Sequence, residues 1–261
     1  MSRAAEPDYG LAAVRHKEVL AELHRRGQVS ATALADRFGV THETVRKDLI
    51  QLQERGLLRR VHGGAVPLES LAQETPVAAR TAGAAQKARI ARAAQRFVPD
   101  SGVLLLDSGS TTAAFADALE AGAGLLVITN SLPIAASLLP RVRRLSLLGG
   151  RVRPETEATV DHWALRALAT VRADVAVLGT NAFSTAYGLG TPDEAEAAVK
   201  AAMVESARLR VLLADSSKFG RESVFRYAAL SDLDVVVTDD GLAPADAAAL
   251  TRDFGLEVVR A

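Results

Sequence analysis

The sequence lacks cysteine altogether and is poor in aromatic residues, which make up 4% of its 261 residues. The absence of cysteine excludes disulfides, thiolate catalysis and cysteine-based zinc sites. The sequence also lacks an uncharged apolar run of about 18 residues, so it predicts no membrane-spanning helix. The first ten residues contain no apolar segment of the kind that marks a signal peptide. We therefore expect a cytoplasmic protein with no membrane partner.

Neither sign of charge is in excess, because 31 Lys and Arg balance 31 Asp and Glu. The charges are unevenly distributed: residues 1–67 hold 11 Lys and Arg against 8 Asp and Glu, and the rest holds 20 against 23. A basic N-terminal region fits nucleic-acid binding, although many ordinary domains differ this much. The five His residues and the carboxylates show no ligand spacing, so the sequence predicts neither a metal site nor a cofactor.

Residues 11–67 show the pattern of three helices followed by a hairpin. The pattern predicts helices from Leu11 to Arg26, from Ala31 to Phe38 with Ser30 as N-cap, and from Thr41 to about Arg55. In the third helix, Val45, Leu49 and Leu52 recur on one face, which we expect to pack on the core. The segment LLRRVHGGAV then predicts a strand, a Gly-Gly turn and a return strand. This arrangement is typical of a winged helix-turn-helix. The second helix of the helix-turn-helix pair, which here is the third predicted helix, enters the major groove of DNA.

Polar side chains on the exposed face of the third helix and in the hairpin are candidates for DNA contacts. Arginine can bind guanine through two hydrogen bonds, and lysine and threonine can bind phosphates. Asp48 is expected to orient a neighbouring Arg or to cap the backbone. Taken alone, Arg46 and Lys47 could equally be solvated surface charges. The predicted DNA contacts are Ser30, Thr32, Thr41, His42, Glu43, Thr44, Arg46, Lys47, Arg60, His62 and Gly63.

The string VSATALADRFGVTHETVRKDLIQLQERGLLRRVHGGAV resembles the DeoR-type helix-turn-helix, including TVRKDL and the RVHGGA hairpin. The resemblance covers residues 15–66. It implies that Arg46 and Lys47 are the central contacts to double-stranded operator DNA.

The rest of the chain alternates short apolar runs with helical patterns. The runs lie at 103–106, 125–128, 145–148, 175–178, 211–214 and 235–237. Buried strands that alternate with helices predict an α/β domain with a mainly parallel sheet. The predicted organisation is a flexible N-terminus (1–10), a winged helix-turn-helix (11–67), a linker (68–83) and an effector-sensing domain (84–261) that opens with a helix over 84–97.

Short loops rich in Gly, Ser and Thr follow five of the predicted strands. Their backbone N–H groups and hydroxyls are suited to holding a phosphate, and ligands of open α/β sheets bind at the carboxyl ends of strands. An ordinary strand-to-helix turn is the alternative for each loop taken alone. The predicted effector contacts are Asp107, Ser108, Gly109, Ser110, Thr111, Thr112, Thr129, Asn130, Ser131, Gly149, Gly150, Arg151, Gly179, Thr180, Asp193 and Lys218.

The sequences DSGSTT, TNS, LGGRVR, GTNAFS, GLGTPDEAEAAVKAAM and LADSSKFG resemble the sensor domain of DeoR-family regulators over residues 84–240. The resemblance implies a fold similar to ribose-5-phosphate isomerase and a phosphorylated sugar as effector. Two positions depart from the family pattern: Asp161 stands where members often have Gly, and Gly190 where they often have Thr or Ser. We expect Asp161 to alter the pocket near Arg151 by pairing with it.

Three functions fit this architecture. The first is a repressor of a sugar-catabolic operon that binds DNA as a homodimer or homotetramer and releases it when a sugar phosphate binds. The second is an activator of the same architecture. The third is a sugar-phosphate isomerase or deaminase that uses Asp193, Glu194 and Lys218 for acid–base chemistry. The sensor loops contain no His, which argues against an enzyme. We expect the chain not to be an enzyme.

Overall fold

The computed structural model describes residues 11–26, 29–55, 57–61, 63–67, 74–120, 122 and 124–261. The predicted flexible segment 1–10, His62 and residues 68–73 of the predicted linker lie outside the described residues. The chain forms two compact units, which divide between residues 70 and 71. Within the described ranges, no helix is both long enough and apolar enough to cross a membrane.

The first unit is a helix-turn-helix with a β-hairpin wing. Its helices are α1 (Ala12–Arg26), α2 (Ala31–Phe38) and α3 (His42–Glu54), and its strands are β1 (Val29–Ser30), β2 (Leu58–Val61) and β3 (Gly64–Pro67). The strands form an antiparallel sheet in the order β1-β3-β2. Side chains from all three helices and from the sheet share one core, formed by Val19, Leu23, Val29, Leu34, Ala35, Phe38, Val45, Leu49, Leu52, Leu58 and Ala65.

Local capping sets the helix-turn-helix boundaries where the sequence predicts them. Ser30 Oγ accepts a hydrogen bond from Ala33 N at 3.4 Å, so α2 begins directly after Ser30. Gly39 ends α2 with a φ of 63°, a left-handed conformation that glycine adopts without steric penalty. Thr41 Oγ1 accepts from Thr44 N at 3.2 Å and starts α3.

Glycine allows the wing to approach the first strand closely. A Cβ atom on Gly64 would lie 1.9 Å from the carbonyl oxygen of Val29, so no other residue fits there without a backbone shift. The neighbouring Gly63 accepts a hydrogen bond from Ala31 N at 2.8 Å. The turn of the wing is thus bound to the first residue of α2.

The second unit is built on a seven-stranded sheet. Its strands are β4 (Ser101–Leu106), β5 (Gly124–Thr129), β6 (Arg144–Leu147), β9 (Ala173–Gly179), β12 (Ala207–Leu213), β14 (Val235–Thr238) and β15 (Glu257–Arg260). They are ordered β15-β14-β12-β9-β4-β5-β6, and every neighbouring pair is parallel. Two small antiparallel sheets join β7 (Arg151–Arg153) to β8 (Ala158–Val160), and β10 (Ala182–Ser184), β11 (Gly188–Thr191) and β13 (Phe225–Ala228).

Helices cover both faces of the large sheet. The helices α4 (Ala84–Ala94), α5 (Ser110–Asp117) and α6 (Leu132–Leu138) share one core with Leu104 and Leu106, whereas α7 (His162–Leu168), α8 (Glu194–Ser206) and α9 (Pro244–Phe254) share the other with Leu105. The alternation follows from the two-residue period of a strand. The fold class is therefore the predicted one, an α/β domain with a parallel sheet that follows a winged helix-turn-helix.

Several elements differ from the expectation. The predicted helix over 84–97 is α-helical only to Ala94 and continues as a 3-10 turn, Gln95–Phe97. Strand β15 and all strands of the two small sheets of the second unit lie outside the predicted apolar runs. Their segments are three or four residues long and lack a continuous apolar run, so the sequence pattern does not reveal them.

Candidate DNA-binding surface and effector site

Helix α3 has one buried face and one exposed polar face. Val45, Asp48, Leu49 and Leu52 are buried, as the spacing of the apolar residues predicts. The side chains of His42, Glu43, Arg46 and Lys47 are exposed, and Thr44 is half-buried. The predicted contacts on α3 therefore lie together on the surface, beginning at the helix N-terminus.

Arg46 is held by a neighbour on the same helix. Its Nε lies 3.0 Å from Glu43 Oε2, and the two side chains are 60% and 57% exposed. An exposed pair three residues apart contributes little stability and dissociates easily. Arg46 can therefore exchange the Glu43 carboxylate for a phosphate or a guanine.

Asp48 is an internal anchor of the first unit. Its carboxylate accepts hydrogen bonds from Arg15 Nε at 2.6 Å and Arg15 Nη2 at 3.0 Å, and its Oδ1 lies 3.1 Å from His16 Nε2. The hydrogen bond to Asp48 raises the pKa of Arg15, an effect that burial opposes. Asp48 thus orients a neighbouring Arg, as expected, and joins α1 to α3.

The remaining predicted DNA contacts lie at the start of α2 and in the wing. Ser30 and Thr32 are exposed, although the Ser30 hydroxyl also caps α2. Arg60 is half-buried, and its backbone N–H donates to Gln53 Oε1 at 2.9 Å. Gly63 is exposed with a φ of 77°. His62 belongs to the part of the chain that is not described.

In the second unit, the predicted effector loops lie at one edge of the sheet. The predicted contacts lie in or directly beside the loops after β4, β5, β6, β9 and β12, except Asp193, which directly precedes α8. Residues 110–112 form the first turn of α5, Thr129 and Gly179 end β5 and β9, and Arg151 begins β7. Because these strands are parallel, their carboxyl ends meet at the same edge. The strand order reverses between β4 and β9, and such a switch point forms the ligand crevice of open α/β sheets.

A buried ion pair occupies the switch point. Asp107 follows β4 and is fully buried; its Oδ2 accepts from Gly179 N at 2.9 Å and from Lys200 Nζ. Lys200 also donates to Gly179 O at 3.2 Å, and Tyr227 Oη donates to the same oxygen at 2.9 Å. The structure therefore adds Lys200, on α8, to this edge. Its sequence position in an Ala-rich helix gives no signal of this role.

Hydroxyls in the other loops shape the loops themselves. Thr112 Oγ1 donates to Gly109 O at 2.9 Å, and Thr129 Oγ1 accepts from Ser131 N at 3.1 Å. Backbone N–H groups in loops of this kind can bind an anion. Ser108, Asn130, Gly149, Gly150 and Thr180 lie in the same set of loops, and Ser110 and Thr111 lie in the first turn of α5.

Cationic side chains lie beside the loop after β12. Lys87, on α4, is 8% exposed and donates to Arg80 O at 2.9 Å. Burial lowers the pKa of Lys87; nearby Asp215 opposes the shift, and nearby Lys218 and Arg80 add to it. A bound anion would relieve the repulsion among these cations. Lys218 was predicted from the sequence, whereas Lys87 is one of several cations in its helix and was not.

Arg153 lies at the centre of an acidic cluster. It is 8% exposed, and its guanidinium lies 2.6 Å from Glu74 Oε2, 3.3 Å from Asp193 Oδ2 and 3.4 Å from Glu196 Oε2. Asp193 also caps α8 by accepting from Glu196 N at 2.9 Å. Asp193 therefore has a structural role, and its predicted effector contact stays a prediction.

The second half of the predicted linker is bound to this edge of the sensor unit. Besides Arg153, the Glu74 carboxylate contacts Arg80 Nη2 at 2.6 Å and Asn181 Nδ2 at 3.3 Å. Val77 N donates to Glu155 O at 2.7 Å. The segment 74–80 thus contacts the β7–β8 hairpin and the loop after β9.

Asp161 pairs with Arg151, as predicted from the sequence. Arg151 Nε lies 2.7 Å from Asp161 Oδ2, and this hydrogen bond raises the pKa of Arg151. Asp161 has a φ of 75° and a ψ of −170°, a region that is almost exclusive to glycine. A non-glycine residue there costs about 1–3 kcal/mol of backbone strain.

A helix-turn-helix with a wing, followed by a doubly wound α/β unit whose loops converge at a switch point, defines a DNA-binding regulator with a sensor domain. Residues 15–71 match the family described as the DeoR-like helix-turn-helix domain, and residues 83–240 match the DeoR C terminal sensor domain. The chain belongs to the DeoR family of transcriptional regulators. It is a regulator and not an enzyme, since its relatives are named as regulators of transcription.

Two curated relatives align over most of the chain. The HTH-type transcriptional regulator GlpR of Haloferax volcanii is 36% identical over 231 residues, which cover 88% of this chain and 90% of that protein. The glycerol-3-phosphate regulon repressor of Escherichia coli is 33% identical over 227 residues, covering 86% and 90%.

Among solved structures, ribose 5-phosphate isomerase A from Methanocaldococcus jannaschii aligns at a TM-score of 0.37 and 20% identity, covering 51% of this chain and 53% of that one. The fold assignment rests on the sheet topology and on the family matches. Among the described residues, no group of three or more His, Asp or Glu side chains is placed to hold a metal ion.

Proposed function

We propose that this protein represses transcription by binding operator DNA as a homodimer or homotetramer, and that a sugar phosphate bound to the sensor unit releases the DNA. The proposal rests chiefly on the exposed polar face of α3, which carries Arg46 and Lys47 at the position that a recognition helix presents to the major groove. The name of the Escherichia coli relative, a regulon repressor, supports repression. The protein acts in the same compartment as the DNA that it binds.

Binding to DNA follows from the geometry of the first unit. Thr41 and His42 stand at the N-terminus of α3, where the helix dipole and free N–H groups favour a phosphate. Arg46 leaves Glu43 to bind a guanine, and Lys47 binds a phosphate. The exposed Gly63 lets the wing backbone approach the DNA. A single module buries too little surface for tight binding, so two copies of the chain bind two half-sites.

The effector binds at the carboxyl ends of β4 and β9. The N–H groups of the first turn of α5 (110–112), together with Lys87 and Lys218, hold the phosphate, since the N–H of Ser108 already donates to Asp107 Oδ1 at 2.8 Å. Hydroxyl groups of the sugar reach the loops after β5, β6 and β9. Binding there acts on segment 74–80, because Glu74 contacts Arg153 and Asn181 in the same set of loops. This segment is continuous in sequence with the first unit, so it is the transmitter of the signal.

The DNA-binding step is tested with fragments that the purified protein selects from a random library. Arg46→Ala should weaken binding by about 1–3 kcal/mol and relax preference at one base position, whereas Lys47→Ala should weaken all sequences alike and reduce the salt slope by about 1. The matched control is Arg252→Ala, which removes an exposed arginine of the sensor unit. Equal affinity of all three variants and the parent at fixed salt contradicts the proposal.

The sensing step is tested by titrating phosphosugars into the protein–DNA complex and into the free protein. The set includes glycerol 3-phosphate, hexose monophosphates, the same sugars without phosphate, and inorganic phosphate. A true effector at about 100 times its Kd should stabilise the sensor unit by about 2.7 kcal/mol and release the DNA. The idea fails if no phosphosugar at millimolar concentration raises the Tm or lowers DNA affinity. Light scattering of the DNA-bound protein measures the number of subunits.

A further inference from the structure

Asp161 combines a strained backbone with a charge at the effector edge. Two non-glycine residues have a positive φ in the part of the chain that the structure describes, Glu157 at 51° and Asp161 at 75°. Glu157 lies in the turn between β7 and β8. Asp161 instead has a ψ of −170°, which combines with its φ in a region that is essentially restricted to glycine. Its side chain accepts no hydrogen bond that caps α7.

The pair that Asp161 forms does not explain the strain. Arg151 is 58% exposed and the Asp161 carboxyl 36%, and an exposed pair contributes little to stability. The two residues are held together by the backbone in any case, because Arg151 lies opposite Val160 in the β7–β8 hairpin. A Cβ atom on the adjacent Gly150 would lie 2.3 Å from Val160 O, so the two segments touch. The contact of the carboxylate with Arg151 therefore contributes little to the stability of the fold.

The pair lies near the far end of the proposed effector site. Arg151 follows the loop after β6, and β6 is separated from β4 by β5. Neighbouring strands lie about 4.8 Å apart, so the loop after β6 is roughly 10 Å from the phosphate-holding loop after β4. A phosphorylated hexose spans about that distance. Arg151 is placed to meet the end of the effector that is remote from its phosphate.

We propose that Asp161 sets the specificity of the effector site for sugar monophosphates. Its carboxylate occupies Arg151, which also lies within electrostatic range of Asp193, so a second phosphate or a carboxylate at the far end of the ligand is repelled. Uncharged hydroxyl groups are accepted, since a carboxylate accepts hydrogen bonds from them. This inference rests on the proposed binding of a phosphorylated sugar at this edge.

The experiment measures Kd for a hexose monophosphate and for the corresponding bisphosphate by calorimetry, with the full chain and four variants. Asp161→Asn removes the charge and keeps the strain, whereas Asp161→Gly removes both. Each should shift the preference toward the bisphosphate about ten-fold, because like charges in contact disfavour a ligand strongly. Asp161→Gly alone should also raise the Tm of the sensor unit. Adding Arg151→Ala to Asp161→Gly should abolish the gain in preference for the bisphosphate.

The matched control is Asp253→Asn, which breaks an exposed Arg–Asp pair of the same 2.7 Å length on α9. It should leave the ratio of the two Kd values unchanged. If the wild type binds the monophosphate but the ratio is the same in the Asp161 variants, the inference is overturned and the proposed function stands. If neither ligand binds the wild type or any variant, both are overturned. An Asp161→Gly variant no more stable than wild type overturns the argument from strain, and with it the inference.

Discussion

Replacing Asp48 with alanine should strongly destabilise the DNA-binding unit and leave the sensor unit intact. The substitution removes the acceptor of two hydrogen bonds from Arg15, whose side chain is 7% exposed, and so takes a carboxylate away from a buried guanidinium. Breaking a buried pair by removing one partner costs about 3–5 kcal/mol. A domain of about 60 residues has a total stability of only about 3–9 kcal/mol. The loss should therefore remove much of the stability of the first unit.

Hydrogen exchange followed by mass spectrometry separates the two units in the full-length chain. Amides of α1 and α3 should exchange at least 100-fold faster in Asp48→Ala, since about 3 kcal/mol corresponds to more than two powers of ten. Amides of the large sheet serve as the internal control and should not change. The matched variant Lys47→Ala, at the neighbouring exposed position, should leave exchange unchanged while it weakens DNA binding. An increase in exchange of less than about five-fold in Asp48→Ala would refute the role of the pair.

Three further predictions concern the wing and the sensor edge. Gly64→Ala should destabilise the first unit by at least about 1–3 kcal/mol in urea titrations, because its Cβ would lie 1.9 Å from Val29 O. Lys200→Met should lower the stability of the sensor unit by about 3–5 kcal/mol by leaving Asp107 buried and uncompensated; a loss below about 1 kcal/mol would contradict this. The pKa of Asp239 is lowered because hydrogen bonds from three N–H and O–H donors outweigh its desolvation, so its charge stabilises the fold above the unfolded-state pKa. Asp239→Asn should therefore destabilise the sensor unit at pH 7, and the difference from wild type should shrink as the pH falls through the folded-state pKa; a pH-independent difference would rule this out.

The sequence predicts those parts of the fold that local rules determine. The helix-turn-helix boundaries depend on caps at Ser30 and Thr41 and on the left-handed Gly39. Residues of these types can be recognised as helix caps from the sequence alone. The six apolar runs of the large sheet can also be recognised from the sequence, because strands buried on both faces need continuous apolar residues. Their parallel order then places the five polar loops at one edge.

Residues whose role depends on distant partners could not be predicted. Lys200 resembles one of the polar residues of an Ala-rich helix, and only the placement of α8 against β9 brings it to Asp107. Glu74 lies in a segment without periodicity and reads as part of a linker, yet its carboxylate is buried among residues up to 107 positions away. Long-range pairs of this kind leave no trace in the spacing of a single sequence.

The hydrogen bond from Ala31 to Gly63 restricts how this protein can respond to a signal. It ties the turn of the hairpin to the start of the helix pair, and both share a single hydrophobic interior with α1 and α3. The DNA-binding unit is thus expected to behave as one rigid body. Its surface should keep the same shape whether or not a ligand is bound to the sensor unit. In the proposed oligomer, regulation would then have to act on the separation or orientation of two DNA-binding units, so the length of the gap between operator half-sites, more than their sequence, should determine how completely the DNA is released.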